Sequence, residues 1–203
     1  MVEWGLRNVF ESREIDGLLL FAREEAMLDR VEAALSLIRE FDPYRYRRIL
    51  KDVDRILVTW LPGSIGQFST INWTCTIDRR FLMRESTSPE LIASVIVHEA
   101  THARLHRIGM GYPEALRERI EDICFRQEWL FGSKLPNGYE VRTQAERYLN
   151  APPLDFSDVA MKARRDQIAK LALQDVGLSE KWARRSMALI NWLVHITRSI
   201  RSA

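Results

Sequence analysis

The sequence predicts an α+β fold in which a small, mostly antiparallel sheet backs a buried central helix, with additional helices toward both ends. Two β-type segments, at 55–61 and 70–78, lie between segments whose apolar residues recur at helical spacing. A further helix, from Ser88 to about Ile108, is apolar almost all round, as is typical of a helix at the centre of a fold. The 203 residues are 46% hydrophobic and 29% charged, which indicates a globular chain.

Two helices are predicted ahead of the first strand. Apolar residues recur at helical spacing from Glu24 to Glu40, and Asp42-Pro43 ends that segment. A second, arginine-rich helix is predicted from Tyr44 to Val53 and is expected to expose its charges to solvent. The apolar run at 17–22 is short and flanked by charges, so we expect it in the core and not in a membrane.

The strands are predicted from composition and alternation. Residues 55–61 are rich in β-branched and aromatic side chains, and Pro62-Gly63 stops that strand. Residues 70–78 alternate strictly, as a half-buried strand does. The side chains expected on its apolar face are Ile71, Trp73, Cys75 and Ile77. Residues 81–83 are expected to form a third, short strand.

Helices dominate the rest of the chain. Ser88 is the expected cap of the central helix, with Pro89 at the first helical position. The other predicted helices run over about 113–135, 139–149, 158–174 and from Ser179 to the C-terminus. Because Ala151-Pro152-Pro153 is the best linker candidate, we expect one domain at 1–150 and a C-terminal helical extension at 151–203.

Charge and cysteine usage bear on the partners and the compartment. Thirty basic and 28 acidic residues give a formal charge of +2, which argues against nucleic acid as a partner. Cys75 and Cys124 are too few for a disulfide framework and lack metal-site spacing, so we expect two buried thiols in a reducing compartment. The first residues show no signal-peptide pattern, and we therefore expect the cytoplasm.

The segment His98-Glu99-Ala100-Thr101-His102 carries the strongest chemical signal in the chain. In a helix, histidines four residues apart share a face and can converge on one metal ion. Glu99 points to an adjacent face, from which its carboxylate can reach a metal-bound water without binding the metal. Ionisable side chains in so apolar a helix are costly without a partner. The alternative is a pair of hydrogen-bonded core histidines, with Glu99 paired to an arginine.

Residues 97–103 resemble the active-site helix of the zincin metallopeptidases, with an apolar residue before His98 and a threonine before His102. The preceding strands and the following helix are similar to a minimal gluzincin core, and the resemblance covers about residues 55–135. It implies a zinc-bound water that hydrolyses peptide bonds and a glutamate of the following helix as third ligand. The third histidine of the metzincins is excluded, because the positions that this pattern requires hold Leu105 and Ile108.

Glu121 is the expected third ligand. The turn near residues 110–111 is short, which favours an antiparallel pair of helices. In such a pair, Glu121 lies level with residue 100, midway between the two histidines. Glu118 and Glu128 fit this level less well and stay as alternatives, and Glu121 could also be an ordinary surface acid.

Other side chains are candidates for supporting roles. His106 lies four residues beyond His102 and either contacts the site or is a polar residue near the helix end. A histidine or tyrosine stabilises the oxyanion in related zinc peptidases, and the candidates here are Tyr112, Tyr139, Tyr148 and His195. In zincins a substrate strand pairs with a sheet edge, for which residues 70–78 or 80–83 are the expected segments.

The C-terminal segment combines two basic clusters with an apolar stretch. Ser186 to Thr197 are twelve residues without formal charge apart from His195, too few to span a bilayer. We expect this helix to pack on the protein's own core or on a second subunit. The alternative is contact with a membrane surface or a partner protein, with Trp182 and Trp192 as anchors.

These features together predict a zinc-dependent peptidase that acts on a peptide or protein substrate. Glu99 is the expected catalytic residue, and His98, His102 and Glu121 are the expected ligands of Zn2+. Two other functions stay open. One is a zinc-binding module without peptidase activity, for which His106 is the candidate fourth ligand. The other is an enzyme that hydrolyses a non-peptide amide.

Overall fold

The computed structural model describes residues 10–152 and 154–175, and within them the chain forms a mixed α+β structure. Five strands build one sheet in the order β1-β2-β3-β5-β4. Their bounds are Glu11–Ile15 for β1, Leu18–Ala22 for β2, Arg55–Thr59 for β3, Gly66–Ser69 for β4 and Thr74–Asp78 for β5. The α-helices among these residues are Glu25–Phe41 (α1), Pro43–Asp52 (α2), Arg79–Leu82 (α3), Pro89–Arg107 (α4), Arg117–Gly132 (α5), Tyr139–Leu149 (α6) and Asp158–Asp175 (α7).

The sheet is mixed, so the prediction of a mostly antiparallel sheet is wrong. Strands β1 and β2 pair antiparallel, as do β4 and β5, whereas β3 pairs parallel with both β2 and β5. A parallel pair needs a long crossover connection. Helices α1 and α2 supply that crossover between β2 and β3, and β4 occupies the edge on its way to β5.

Two strand predictions fail for local reasons. The alternating segment 70–78 becomes a strand only at Thr74, because Ile71–Trp73 forms a 3-10 turn in which Asn72 and Trp73 have positive φ. Of the expected strand at 81–83, Phe81 and Leu82 belong instead to α3, and Met83 is the C-cap of that helix. The side chain of Asp78 accepts from the backbone N–H groups of Arg80 and Phe81 and so caps that helix.

The helix predicted from Ser88 to about Ile108 is present as α4, Pro89–Arg107. The hydroxyl of Ser88 accepts from Leu91 N at 3.3 Å, and Pro89 is the first residue of the helix. Helix α4 packs against α1, α2 and α5 and against strands β4 and β5. Its apolar side chains join those of α1 and of the inner face of β2, β3 and β5 in one core. The arrangement places residues 98–102 between β4 and α5.

The contacts divide the chain after Leu154 into two units. Helix α7 belongs to the second unit, and the backbone N–H of Ala160 in its first turn donates to the hydroxyl of Ser157. The helix expected from Ser179 onward, with its membrane or partner contact, lies outside the described residues. Among the helices that the structure describes, none combines the length and the apolar character that crossing a bilayer requires.

Candidate metal centre

His98 and His102 direct the same ring nitrogen toward each other from successive turns of α4. Their Nε2 atoms lie 3.2 Å apart, and the ring centroids are separated by 5.0 Å. Helix α4 provides this spacing because residues four apart lie on one face. Both side chains are largely buried, with 13% and 15% of their surface exposed.

Glu121 lies opposite this pair on α5. Its Oε2 is 3.4 Å from Nε2 of His98, and its Oε1 is 3.5 Å from Nε2 of His102. Helices α4 and α5 run antiparallel, as the contact of Ser94 with Glu128 on the same helices also shows. The structure therefore brings together the two histidines and the glutamate that the sequence singles out. Glu118, an alternative from the sequence, is exposed in the first turn of α5.

The separations of these donor atoms fit a single tetrahedral ion. Donors that lie about 2.0–2.1 Å from a tetrahedral metal are about 3.3–3.4 Å from one another. At this site the two Nε2 atoms are 3.2 Å apart, and they lie 3.4 Å (His98) and 3.5 Å (His102) from the two different carboxylate oxygens of Glu121. Two imidazoles and one carboxylate are also a donor set that zinc accepts in enzymes, with a fourth position left for water. The residues present thus fit a zinc ion.

Glu128 lies on the other side of the His98 ring, away from the two Nε2 atoms. Its Oε1 lies 2.6 Å from Nδ1 of His98, and its Oε2 accepts a hydrogen bond from the hydroxyl of Ser94. A carboxylate on the second nitrogen of a metal-binding histidine fixes the tautomer and the orientation of the ring. From the sequence, Glu128 was only an alternative ligand. Residue spacing alone does not reveal that its carboxylate contacts His98 and Ser94 on the neighbouring helix.

Glu99 lies buried between α4 and β4. A methyl group at Gly66 would meet Oε1 of Glu99 at 2.7 Å and Cγ1 of Val95 at 2.6 Å, so only glycine allows β4 to approach this closely. The backbone N–H of Phe68 donates to the Glu99 carboxylate. Burial raises the pKa of Glu99 to about 7, against the opposing effect of His98.

The two histidines cannot both carry a proton at this distance. Burial alone lowers the pKa of His98, but its hydrogen bonds with Glu121 and Glu128 outweigh burial and raise that pKa to about 10. Burial and the neighbouring charge of His98 lower the pKa of His102 to about 4. Burial also acts to raise the pKa of Glu121, yet its contacts with both histidines bring it below the usual value.

Of the oxyanion candidates, Tyr112 is the one that reaches this centre in the described part of the chain. Its hydroxyl donates to Oε1 of Glu121 at 2.6 Å, and its ring meets that of His102 edge on. Tyr148 stacks instead on Phe125, whose ring lies against His98. Tyr139 is 73% exposed, and His195 lies outside the described residues.

Cys124 is a further donor that the sequence reasoning passed over. Its Sγ and one ring nitrogen each of His98 and His102 lie within 4.8 Å of one another. The thiol is fully buried, which raises its pKa. Spacing could have revealed it, because residues three apart share a helical face and Cys124 follows Glu121 by three. His106, in contrast, packs against Phe68 and Trp73.

Comparison of the chain with protein-family models, curated proteins and solved structures found no match. The resemblance to zincins therefore depends on the residues of the motif.

Proposed function

We propose that the protein is a zinc-dependent peptidase, with His98, His102 and Glu121 as the metal ligands. The observation that carries this proposal is the convergence of the two Nε2 atoms, 3.2 Å apart, with the carboxylate of Glu121, whose two oxygens lie 3.4 and 3.5 Å from them. Zinc, when bound, lowers the pKa of a coordinated water toward about 7 and polarises the carbonyl of a substrate. Proton transfer and stabilisation of the substrate's carbonyl oxygen are assigned to side chains of the protein.

Glu99 is the proton carrier of the proposed reaction. Its carboxylate takes the proton of the attacking water and later returns it to the amine that leaves. Two contacts hold it for this task, the hydrogen bond from Phe68 and the close packing of Gly66. Tyr112 is the group that we expect to donate to the substrate's carbonyl oxygen, since its hydroxyl already lies 2.6 Å from Glu121.

The outer edge of β4, the last strand of the sheet in the described residues, is the expected binding place of the peptide. Asp78 N donates to Ile65 O at 3.0 Å, so these two residues form a hydrogen-bonded pair of the antiparallel ladder. The backbone groups of Gly66 and Phe68 therefore point away from β5. We expect the N–H of Gly66 and the C=O of Phe68 to pair with an extended substrate. This edge differs from the segments that the sequence suggested.

A metal-binding module without peptidase activity is the second candidate function. The observation that favours it is Cys124, whose sulfur lies within 4.8 Å of both histidines and could close the position that a substrate water needs. In either case we place the protein in a reducing compartment, with the cytoplasm as our proposal, because Cys75 and Cys124 are both free thiols.

Glu99→Gln tests the peptidase proposal. The variant should bind zinc as the unchanged protein does and should lose hydrolysis of a denatured protein substrate, because an amide cannot take up the proton. Metal content and turnover are measured on the same samples. Full activity in Glu99→Gln would remove the mechanism, and absence of hydrolysis in the zinc-loaded unchanged protein would favour the second candidate.

A further inference from the structure

Phe68, Trp73 and His106 form an aromatic cluster. The ring centroid of Trp73 lies 5.7 Å from that of Phe68 and 5.6 Å from that of His106, which it meets edge on. Phe68 and Trp73 are half-buried against the core, whereas His106 is exposed. The cluster is therefore only partly covered by the core and keeps some of its surface exposed to solvent.

The aromatic cluster adjoins the candidate metal centre. Phe68 donates its backbone N–H to Glu99, so the strand that carries its ring also holds the proposed proton carrier. His106 lies one helical turn beyond His102 on α4. The rings thus continue the site along β4, toward the C-terminal end of that strand.

The backbone that presents Trp73 is strained. Asn72 and Trp73 have φ values of 55° and 46°, in the left-handed region that a bulky residue such as tryptophan rarely adopts. The hydroxyl of Thr74 donates to Ile71 O at 3.1 Å, and the guanidinium of Arg107 lies 3.9 Å from the centroid of the Trp73 ring. Glycine would adopt this backbone conformation with less strain than tryptophan. Backbone outliers of this kind are common at functional sites.

The aromatic cluster lies on the face of β4 toward which alternate side chains of a paired substrate strand would point. Gly66 faces α4, and Phe68, two residues later, faces the same way. On paired strands, side chains directly opposite one another lie on the same face of the sheet. A substrate residue opposite Phe68 would therefore point its side chain toward the aromatic cluster.

We propose that the aromatic cluster is the subsite that binds a large apolar or aromatic side chain of the peptide substrate. The inference rests on the proposed function, since the occupant is the strand that pairs with β4. Burying such a side chain contributes about 1.5–3 kcal/mol, which corresponds to a factor of about 10–150 in the dissociation constant. In this proposal the subsite determines which peptides bind, and the residues around His98 carry out the hydrolysis.

The test is a binding measurement that does not require hydrolysis. Capped pentapeptides with the sequence Ala-Ala-X-Ala-Ala, where X is Phe, Leu, Ala or Asp, are titrated by calorimetry into the zinc-loaded full chain carrying Glu99→Gln. We expect the Phe and Leu peptides to bind about tenfold or more tightly than the Ala peptide. Adding Trp73→Ala should reduce this ratio to less than about threefold, and Trp73→Phe should keep most of it.

Two controls separate specificity from folding. Trp60→Ala removes another half-buried indole beside an arginine, at the opposite end of the parallel strands β3 and β5, and should leave the ratio unchanged. His106→Ala alters an exposed side chain of the cluster, so it should lower the ratio without lowering the melting temperature. It takes the place of Trp73→Ala if that variant does not fold.

The outcomes distinguish the two proposals. Equal affinity for the Phe and Ala peptides overturns the subsite, as does a preference that persists in folded Trp73→Ala or His106→Ala. Failure of the folded, zinc-loaded protein to bind any of the peptides also overturns it. A preference that depends on Trp73, in a protein whose unchanged form hydrolyses nothing, keeps the subsite and removes the peptidase. Hydrolysis without a preference does the reverse.

Discussion

Nδ1 of His98 lies 2.6 Å from Oε1 of Glu128, so a buried carboxylate holds the ring nitrogen that faces away from His102. The hydroxyl of Ser94 donates to the other oxygen of the same carboxylate. An imidazole fixed in this way presents its Nε2 lone pair to a metal and becomes a more basic ligand. The contact between His98 and Glu128 thus connects α5 to the proposed metal centre on α4.

Glu128→Gln should weaken zinc binding without abolishing it. Loss of such a supporting carboxylate costs about 10–100-fold in metal affinity, because the ring loses both its orientation and part of its basicity. Competition with a chromophoric chelator measures this change. Exposed Glu140→Gln, on α6, is the control and should leave the affinity as it was. Unchanged zinc affinity in Glu128→Gln would contradict the role given to the carboxylate.

Glu121→Ala should lower zinc affinity by more than the Glu128 variant does, since it removes a proposed ligand and not its support. The expected loss exceeds about 100-fold. Glu118→Ala, in the preceding turn of the same helix, removes an exposed acid and is the matched control. Equal zinc content in both variants after dialysis against a chelator would show that Glu121 is not a ligand.

Gly66→Ala should impair catalysis by displacing Glu99. The added methyl would lie 2.7 Å from Oε1 of Glu99 and 2.6 Å from Val95, so a side chain or the strand must shift. Such overpacking costs about 1–3 kcal/mol of stability. We expect a lower melting temperature and a lower kcat at unchanged zinc content. Gln67→Ala, at the exposed neighbouring position, should change neither, and normal turnover in Gly66→Ala would argue against the placement of Glu99.

Asp42, which is not part of the candidate metal centre, makes the stability of the fold depend on pH. Its buried carboxylate accepts from Lys134 Nζ at 2.9 Å and from Arg45 Nε at 3.0 Å, and it also caps α2. Burial tends to raise the pKa of Asp42, but the hydrogen bonds from Lys134 and Arg45 outweigh burial and lower it. The stabilisation is therefore present above the unfolded pKa of about 3.9 and is lost as the pH falls through the folded value.

Asp42→Asn should accordingly be less stable than the unchanged protein at pH 7, by about 1.5–3 kcal/mol, and the difference should shrink toward pH 3. Urea unfolding at the two pH values measures it. Asp54→Asn changes an exposed carboxylate near Arg107 and should have a smaller effect at pH 7. A difference for Asp42→Asn that is as large at pH 3 as at pH 7 would contradict the role of the ionised carboxylate.

Helix periodicity and caps made much of the fold readable from sequence. The central helix begins at Pro89 after Ser88, as its capping signals indicate, and α6 has the predicted bounds Tyr139–Leu149. The level of Glu121 opposite the two histidines follows from a short turn and an antiparallel pair, and the structure places Glu121 there. Local rules sufficed because each of these features depends on nearby residues.

Features that depend on distant contacts were missed. Strand β2 is apolar at all five positions, so it lacks the alternation that marks a half-buried strand. Strand β4 is short and contains Gly66, and a glycine is needed there because α4 packs so closely against the strand. The turn at Asn72 breaks a segment that alternates as a strand would, because the pattern of side chains does not reveal positive φ values. The contact of His98 with Glu128 joins residues 30 apart in sequence.

X-ray absorption at the zinc edge of the purified full chain tests the central claim most directly. We predict one zinc per chain, with nitrogen and oxygen neighbours at about 2.0–2.2 Å and no sulfur in the first coordination sphere. A chain that retains no zinc would contradict the proposed centre. A sulfur neighbour at about 2.3 Å would place Cys124 on the metal and contradict the open site that hydrolysis requires.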